Sequence, residues 1–82
     1  MINVLYFAWV RERIGLPREE IETNAQTVRE LIAELSAREE RYAAAFEDLE
    51  SLRVAVDQEL VDFDASLSGV REVAFFPPMT GG

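Results

Sequence analysis

The residues with the clearest chemical potential close the chain: Phe75-Phe76-Pro77-Pro78-Met79-Thr80-Gly81-Gly82. The reactive group they offer is the Gly82 carboxylate. Gly81 and Gly82 carry no Cβ, so both can enter a slot that admits only backbone. Pro77 and Pro78 each hold φ at about −65° and lack an N–H, which stops a preceding strand and keeps the exit extended. The 6 residues from Pro77 to Gly82 reach at most roughly 20 Å. That is long enough to put a terminal carboxylate inside another protein's active site.

The rest of the composition removes most alternatives. There is no Cys and no His, so no disulfide framework, zinc site of the usual ligand type, thiol nucleophile or Ser-His dyad can be assembled. Sixteen Asp and Glu against 8 basic residues leave a net charge of −8. That balance disfavours nucleic acid, whose phosphates need cationic partners, and suits basic protein surfaces. Eighty-two residues, 49% of them hydrophobic, make one small globular domain. No apolar run is long enough for a bilayer and no signal peptide precedes the first strand, so the expected compartment is the cytoplasm.

The elements that must position the tail can be read in order. Ile2 to Val10 is β-rich and apolar on both alternating faces, the pattern of a central strand. Arg11 to Ile14 suits one helical turn before Gly15 and Pro17. Glu19 to Thr23 reads as a weak, polar strand at the sheet edge. Thr27 and Glu30 form a capping box, followed by Val28, Leu31, Ile32 and Leu35 on one stripe of an amphipathic helix. Helical character continues from Ser36 to Leu49, as one helix or two. The acidic residues Glu39, Glu40, Glu47, Asp48 and Glu50 read as a solvated face, with no metal site. Leu52 to Val56 alternates, Asp57-Gln58-Glu59 turns the chain, and Leu60-Val61 begins a short return strand. Leu67 is a lone apolar anchor, Ser68-Gly69 offers a turn, and Arg71 to Phe76 forms the last strand. The order β-β-α-β-β-β with a parallel first and last strand is an α+β, β-grasp layout: a mixed sheet with one main helix on one face and an extended tail.

The stretches VLYFAWVRERIG (4–15), Thr27-Val28, VDQELVDFD (56–64) and, above all, EVAFFPPMTGG (72–82) resemble the small subunits of molybdopterin synthase, which are ubiquitin-like β-grasp sulfur carriers. The family often has Asn where Asp57 stands. It also has a Gly-Asp pair before the Glu matching Glu72, where this chain has Val70-Arg71 and its glycine one step earlier, at Gly69. The resemblance implies a domain of residues 1–76 and a flexible tail of residues 77–82. It also implies a carboxylate on Gly82, aided by Gly81, that is adenylated and then converted to a thiocarboxylate. A carboxylate is ionised at neutral pH and a poor electrophile, hence the activation. The implied partners are a ubiquitin-activating-like adenylyltransferase that consumes ATP, a sulfur donor protein, and the large synthase subunit in a heterotetramer. In that complex the tail donates sulfur to cyclic pyranopterin monophosphate. This chain would bind no cofactor itself.

If the main helix covers the face bearing Ile2, Val4, Val54, Val56, Val73 and Phe75, then Phe7, Ala74 and Phe76 lie on the open face, bordered by Leu60. Phe7, Leu60, Phe76, Pro77, Pro78, Met79 and Thr80 are therefore the expected partner-binding residues, with Arg11 as a rim ion pair. Three other readings share parts of this pattern: a sulfur carrier for thiamine or tRNA thiolation, a protein modifier joined to lysines through Gly82, and an interaction domain with an inert tail.

Overall fold

The computed structural model describes residues 1–78. Five strands form one mixed sheet: β1 (Ile2–Tyr6), β2 (Arg18–Ile21), β3 (Arg53–Val56), β4 (Glu59–Val61) and β5 (Glu72–Phe76), in the order β2-β1-β5-β3-β4. β1 runs parallel to β5, and the other neighbours are antiparallel. The tail-bearing strand therefore sits at the centre of the sheet. Val73 and Phe75 are fully buried on one side of it, as the alternation of strand side chains requires. This is the expected β-grasp.

The first strand is shorter than its apolar run. The pattern from Ile2 to Val10 suggests one extended segment, yet β1 ends at Tyr6 and a helix, α1 (Ala8–Ile14), begins two residues later. The Phe7 amide still donates to the Phe75 carbonyl at 3.1 Å. Ala8 then takes φ 51°, a left-handed conformation that turns the chain out of the sheet. Inside α1 the buried pair is Val10 and Ile14, an i, i+4 spacing that belongs to a helix. The single turn expected at Arg11–Ile14 is thus the second half of a 7-residue helix. Gly15 ends it at φ 90°, donating to the Arg11 carbonyl at 2.7 Å. That left-handed cap suits a residue without Cβ. β2 begins one residue before the expected edge strand and stops at Ile21, two residues short of Thr23.

Helix α2 (Val28–Arg38) buries Val28, Leu31, Ile32 and Leu35, the expected stripe. Thr27 Oγ1 accepts from the Glu30 amide at 3.2 Å. The reciprocal half of the box is displaced by one residue, since Glu30 Oε1 accepts from the Gln26 amide at 3.2 Å. Residues 36–49 divide into two helical segments. α2 stops at Arg38, Glu39 is extended (φ −150°, ψ 150°), and α3 (Glu40–Ala45) starts anew. The break lets α3 turn Tyr42 and Ala45 into the core, with Phe46 following. Phe46 packs at a tilt on Phe75 with ring centroids 5.0 Å apart, and Tyr6 stacks on the same ring at 6.3 Å. The five acidic residues of this region are all exposed.

The turn between β3 and β4 holds Asp57 and Gln58 at φ 49° and 72°. Two successive positive φ values are those of the tight hairpin turn whose twist matches the strands. Asp57 also reaches across to β5: its Oδ1 accepts from the Arg71 and Glu72 amides at 3.1 and 3.0 Å, and its amide donates to the Glu72 carbonyl at 2.9 Å. The departure from the family's usual Asn is accommodated here, because the contacts use an acceptor oxygen that both side chains possess. Farther on, the segment 62–67 pairs with the start of α2. The amides of Val28 and Arg29 donate to the carbonyls of Ala65 and Phe63 at 3.1 and 2.7 Å, and Leu67, buried as expected, donates to Gln26 at 2.9 Å. The first helical amides are thus satisfied from outside the helix.

Candidate functional site

The sheet face opposite α2 is built by strand register. Leu5 faces Ala74, Ala74 faces Ala55, and Ala55 faces Leu60. These four side chains form a row across the strands, and the two alanines keep its middle flat. Leu60, at the edge, is 67% exposed. Toward the tail, Phe76 pairs with Arg53 and is half-buried. Phe7 stands one residue past the Tyr6–Phe75 pair, beside Phe76, and is 46% exposed. Away from the tail, Asn3 lies between Glu20 and Glu72. The face therefore has an aromatic end with Arg53 next to the tail, an apolar middle, and an acidic far end.

Phe7, Phe76 and the half-buried Pro77 and Pro78 lie where the chain leaves the sheet, while Leu60 stands on the outer strand β4, two strands from β5. Arg11 lies one helical turn after Phe7, exposed, and among the described residues it makes no ion pair. Met79, Thr80, Gly81 and Gly82 lie outside the described residues. Leu5, on the same alternating side of the first strand as Phe7, and Ala55 join the residues expected on this face. Their signal was present, because they alternate with the core-facing Val4, Tyr6, Val54 and Val56, but a small residue such as Ala55 carries little weight in a hydrophobic pattern.

Behind the face lies a second arrangement that sequence reasoning missed. Tyr6 and Tyr42, both nearly inaccessible, donate their hydroxyls to one oxygen of Glu19, at 2.8 and 2.5 Å. Burial, reinforced by these hydrogen bonds to a carboxylate, pushes the Tyr6 phenol far above its ordinary pKa and that of Tyr42 up to about 12. Both phenols therefore stay protonated across the physiological range. Arg41 closes the cluster: its guanidinium lies 5.0 Å from the Tyr42 ring centre and donates to the last carbonyl of α1, Ile14, at 2.8 Å. One carboxylate thus ties β1, β2 and α3 together beside Phe75. The arrangement fixes the base from which the tail departs and contains no group placed to attack a substrate.

Among the described residues no three or more His, Cys, Asp or Glu side chains cluster as metal ligands, and no helix is long and apolar enough to cross a membrane.

The chain is 48% identical to the molybdopterin synthase sulfur carrier subunit of Escherichia coli, over the full length of both. It is 37% identical to that of Haemophilus influenzae, again over both full lengths. The protein of the same name from Mycobacterium tuberculosis is 35% identical, over 99% of this chain and 96% of its own length. Among solved structures, a putative molybdopterin converting factor subunit 1 from Pyrococcus furiosus superposes with a TM-score of 0.71 at 30% identity, covering 95% of this chain and 97% of that one. SAMP1 from Haloferax volcanii shares the fold, with a TM-score of 0.73 at 20% identity over 99% of this chain and 98% of its own. The resemblance to the small subunits of molybdopterin synthase is borne out. With the ThiS family model matching residues 4–82, the chain belongs to the ThiS family of ubiquitin-like β-grasp proteins.

Proposed function

We propose that this chain is the sulfur carrier subunit of molybdopterin synthase, acting in molybdenum cofactor biosynthesis through a thiocarboxylate on Gly82. The observation that carries this is the end-to-end likeness to sulfur carrier subunits of that name, in a chain whose own composition has no thiol to hold sulfur. A ubiquitin-activating-like adenylyltransferase uses ATP to join AMP to the Gly82 carboxylate. The outer sulfur of a persulfide donor displaces AMP to give an acyl disulfide, and a thiol reductant cleaves its S–S bond to leave the thiocarboxylate. The loaded tail then enters the large subunit, with two carriers and two large subunits forming a heterotetramer, and delivers sulfur to cyclic pyranopterin monophosphate in the cytoplasm.

The chain is a non-catalytic subunit in this scheme. It binds no cofactor, and the acids, bases and cations that handle the pterin come from the partner. Its own contribution is to present the carboxyl group at a fixed place. The row Leu5–Ala74–Ala55–Leu60, with Phe7 and Phe76, docks on the large subunit, and Arg11 makes a charged contact at the rim. Pro77 and Pro78 then carry Met79, Thr80, Gly81 and Gly82 into the partner's active site, the two glycines as backbone-wide chain.

The experiment is intact-mass analysis after incubation with the adenylyltransferase, ATP, a persulfide donor and a thiol reductant. One oxygen should be replaced by sulfur, localised to Gly82. Sulfur on any other residue, or none, overturns the proposal. Loaded carrier mixed with the large subunit should then convert cyclic pyranopterin monophosphate to molybdopterin; lysine adducts of other proteins in its place would indicate a modifier.

A further inference from the structure

All 8 basic side chains of this protein are Arg, and the 82 residues include no Lys. Arg and Lys carry the same charge but differ as nucleophiles. The guanidinium stays protonated in proteins. A lysine with a pKa of about 10.4 exposes a free amine in roughly one molecule in 2,500 at pH 7. A free amine attacks activated carboxyl groups. In a chain whose own C-terminus is activated, the identity of the basic residues near the tail therefore decides whether the activated group has a side-chain amine acceptor on the same molecule.

The structure shows which positions matter. Arg53 is the register partner of Phe76 on the neighbouring strand, about 4.8 Å away in strand spacing. It is exposed on the face from which the tail emerges, and its Nη1 donates to the Leu52 and Glu50 carbonyls at 2.7 and 3.3 Å. Arg18 lies in the apolar row beside Leu5, two strands from β5. Both lie within the roughly 20 Å contour of the residues after Phe76. A tether of that length gives a local concentration in the millimolar range, so an amine at either position would be an intramolecular competitor for the activated carboxyl. The other nucleophiles are weak or withdrawn. There is no Cys or His, and the phenols of Tyr6 and Tyr42 are buried on Glu19.

Resting on the reading that Gly82 is activated, we propose that the arginine-only surface, with Arg53 at its decisive position, is a specificity determinant. It supplies positive charge beside the tail while denying the activated Gly82 carboxyl any side-chain amine acceptor on its own chain. The reaction it prevents is ordinary acyl transfer. The ε-amine nitrogen bonds to the Gly82 carbonyl carbon, the bond to the leaving AMP oxygen or thiol sulfur breaks, and the amine proton passes to solvent. No oxidant or reductant takes part. With that side-chain route closed, a partner's sulfur and water are the acceptors that remain beside the tail.

The test uses the full chain carrying a chemically installed thioester at Gly82 and an acetylated α-amino group, so that no activating enzyme is needed. Wild type, Arg53→Lys, Arg53→Gln and Arg29→Lys are incubated at mildly alkaline pH and followed by intact mass and peptide mapping. Wild type and Arg53→Gln should lose the thiol by hydrolysis alone. Arg53→Lys should form an isopeptide between the introduced ε-amine and Gly82. It should do so at least ten times faster than Arg29→Lys, whose site on α2 belongs to the covered side of the sheet, forms its own. Self-acylation of the wild type at a comparable rate overturns the proposal, as does an Arg53→Lys chain that only hydrolyses. Because the thioester is installed chemically, either failure leaves enzymatic sulfur loading at Gly82 to stand or fall by its own experiment.

Discussion

Phe75 and Phe76 are adjacent, chemically identical and placed on opposite sides of the sheet, so truncating each separates folding from docking. Phe75 is fully buried against Tyr6 and Phe46. Phe75→Ala removes a ring from a packed site, at about 3–5 kcal/mol. It also loses two aromatic pairs worth about 0.5–1.5 kcal/mol each beyond burial, which places the cost at the upper end of that range. A domain of this size has a total stability of only about 4–12 kcal/mol, so Phe75→Ala leaves little margin. Phe75→Leu keeps the chain folded for comparison. Phe76 is half-buried beside Arg53, so Phe76→Ala should cost less than about 1.5 kcal/mol of stability, well below the buried-Phe range. If it anchors the large subunit, its loss weakens binding by about 2 kcal/mol or more, or about 30-fold in Kd. Urea denaturation of the isolated domain and titration calorimetry with the large subunit measure the two effects. A Phe76→Ala chain that binds normally refutes the docking face. A Phe75→Leu chain that binds poorly at unchanged stability would invert it.

The Tyr6–Glu19–Tyr42 cluster predicts alkaline sensitivity. The fold raises both phenols, Tyr42 to about 12, whereas the unfolded chain releases these protons near pH 10. Stability should therefore be intact below about pH 10 and fall from there toward pH 12 by up to about 1.4 kcal/mol per pH unit for each tyrosine. Tyr42→Phe should flatten that slope in urea titrations across pH, and an unchanged slope would show that Tyr42 is not linked to folding. Thr27→Ala should cost about 1 kcal/mol by removing the cap on α2, read as a lowered urea midpoint; an unchanged midpoint would show that the bond to the Glu30 amide contributes nothing. Gln58→Gly should add up to about 1 kcal/mol of stability by relieving a left-handed residue in the hairpin turn, and a lowered urea midpoint would contradict that strain. Deleting Gly81 and Gly82 should leave the melting temperature within a few degrees of wild type while abolishing sulfur loading; a large drop would place those residues in the core.

What was legible in the amino-acid sequence was the part whose causes are local. Thr27 caps α2 because its hydroxyl reaches an amide three residues on, and the stripe from Val28 to Leu35 follows from helical period alone. Pro77 and Pro78 end β5 because neither can donate to the sheet, wherever the sheet lies. The run from Ile2 to Val10 was ambiguous for the same kind of reason: apolar side chains at nearly every position satisfy a strand and a helix equally. Only the packed core, which takes Val10 and Ile14 on one side and leaves Ala8 at positive φ, decided where β1 stops. The Glu19 cluster joins residues 13 and 23 positions apart, and Asp57 meets amides 14 and 15 positions away. No local preference encodes such distances. The open sheet face has the same origin. Leu5, Ala55, Ala74 and Leu60 become neighbours through the parallel pairing of the first and last strands and the antiparallel pairing of β3 with its neighbours. Register, a property of the assembled sheet, lines them up in one row beside the strand from which the tail departs.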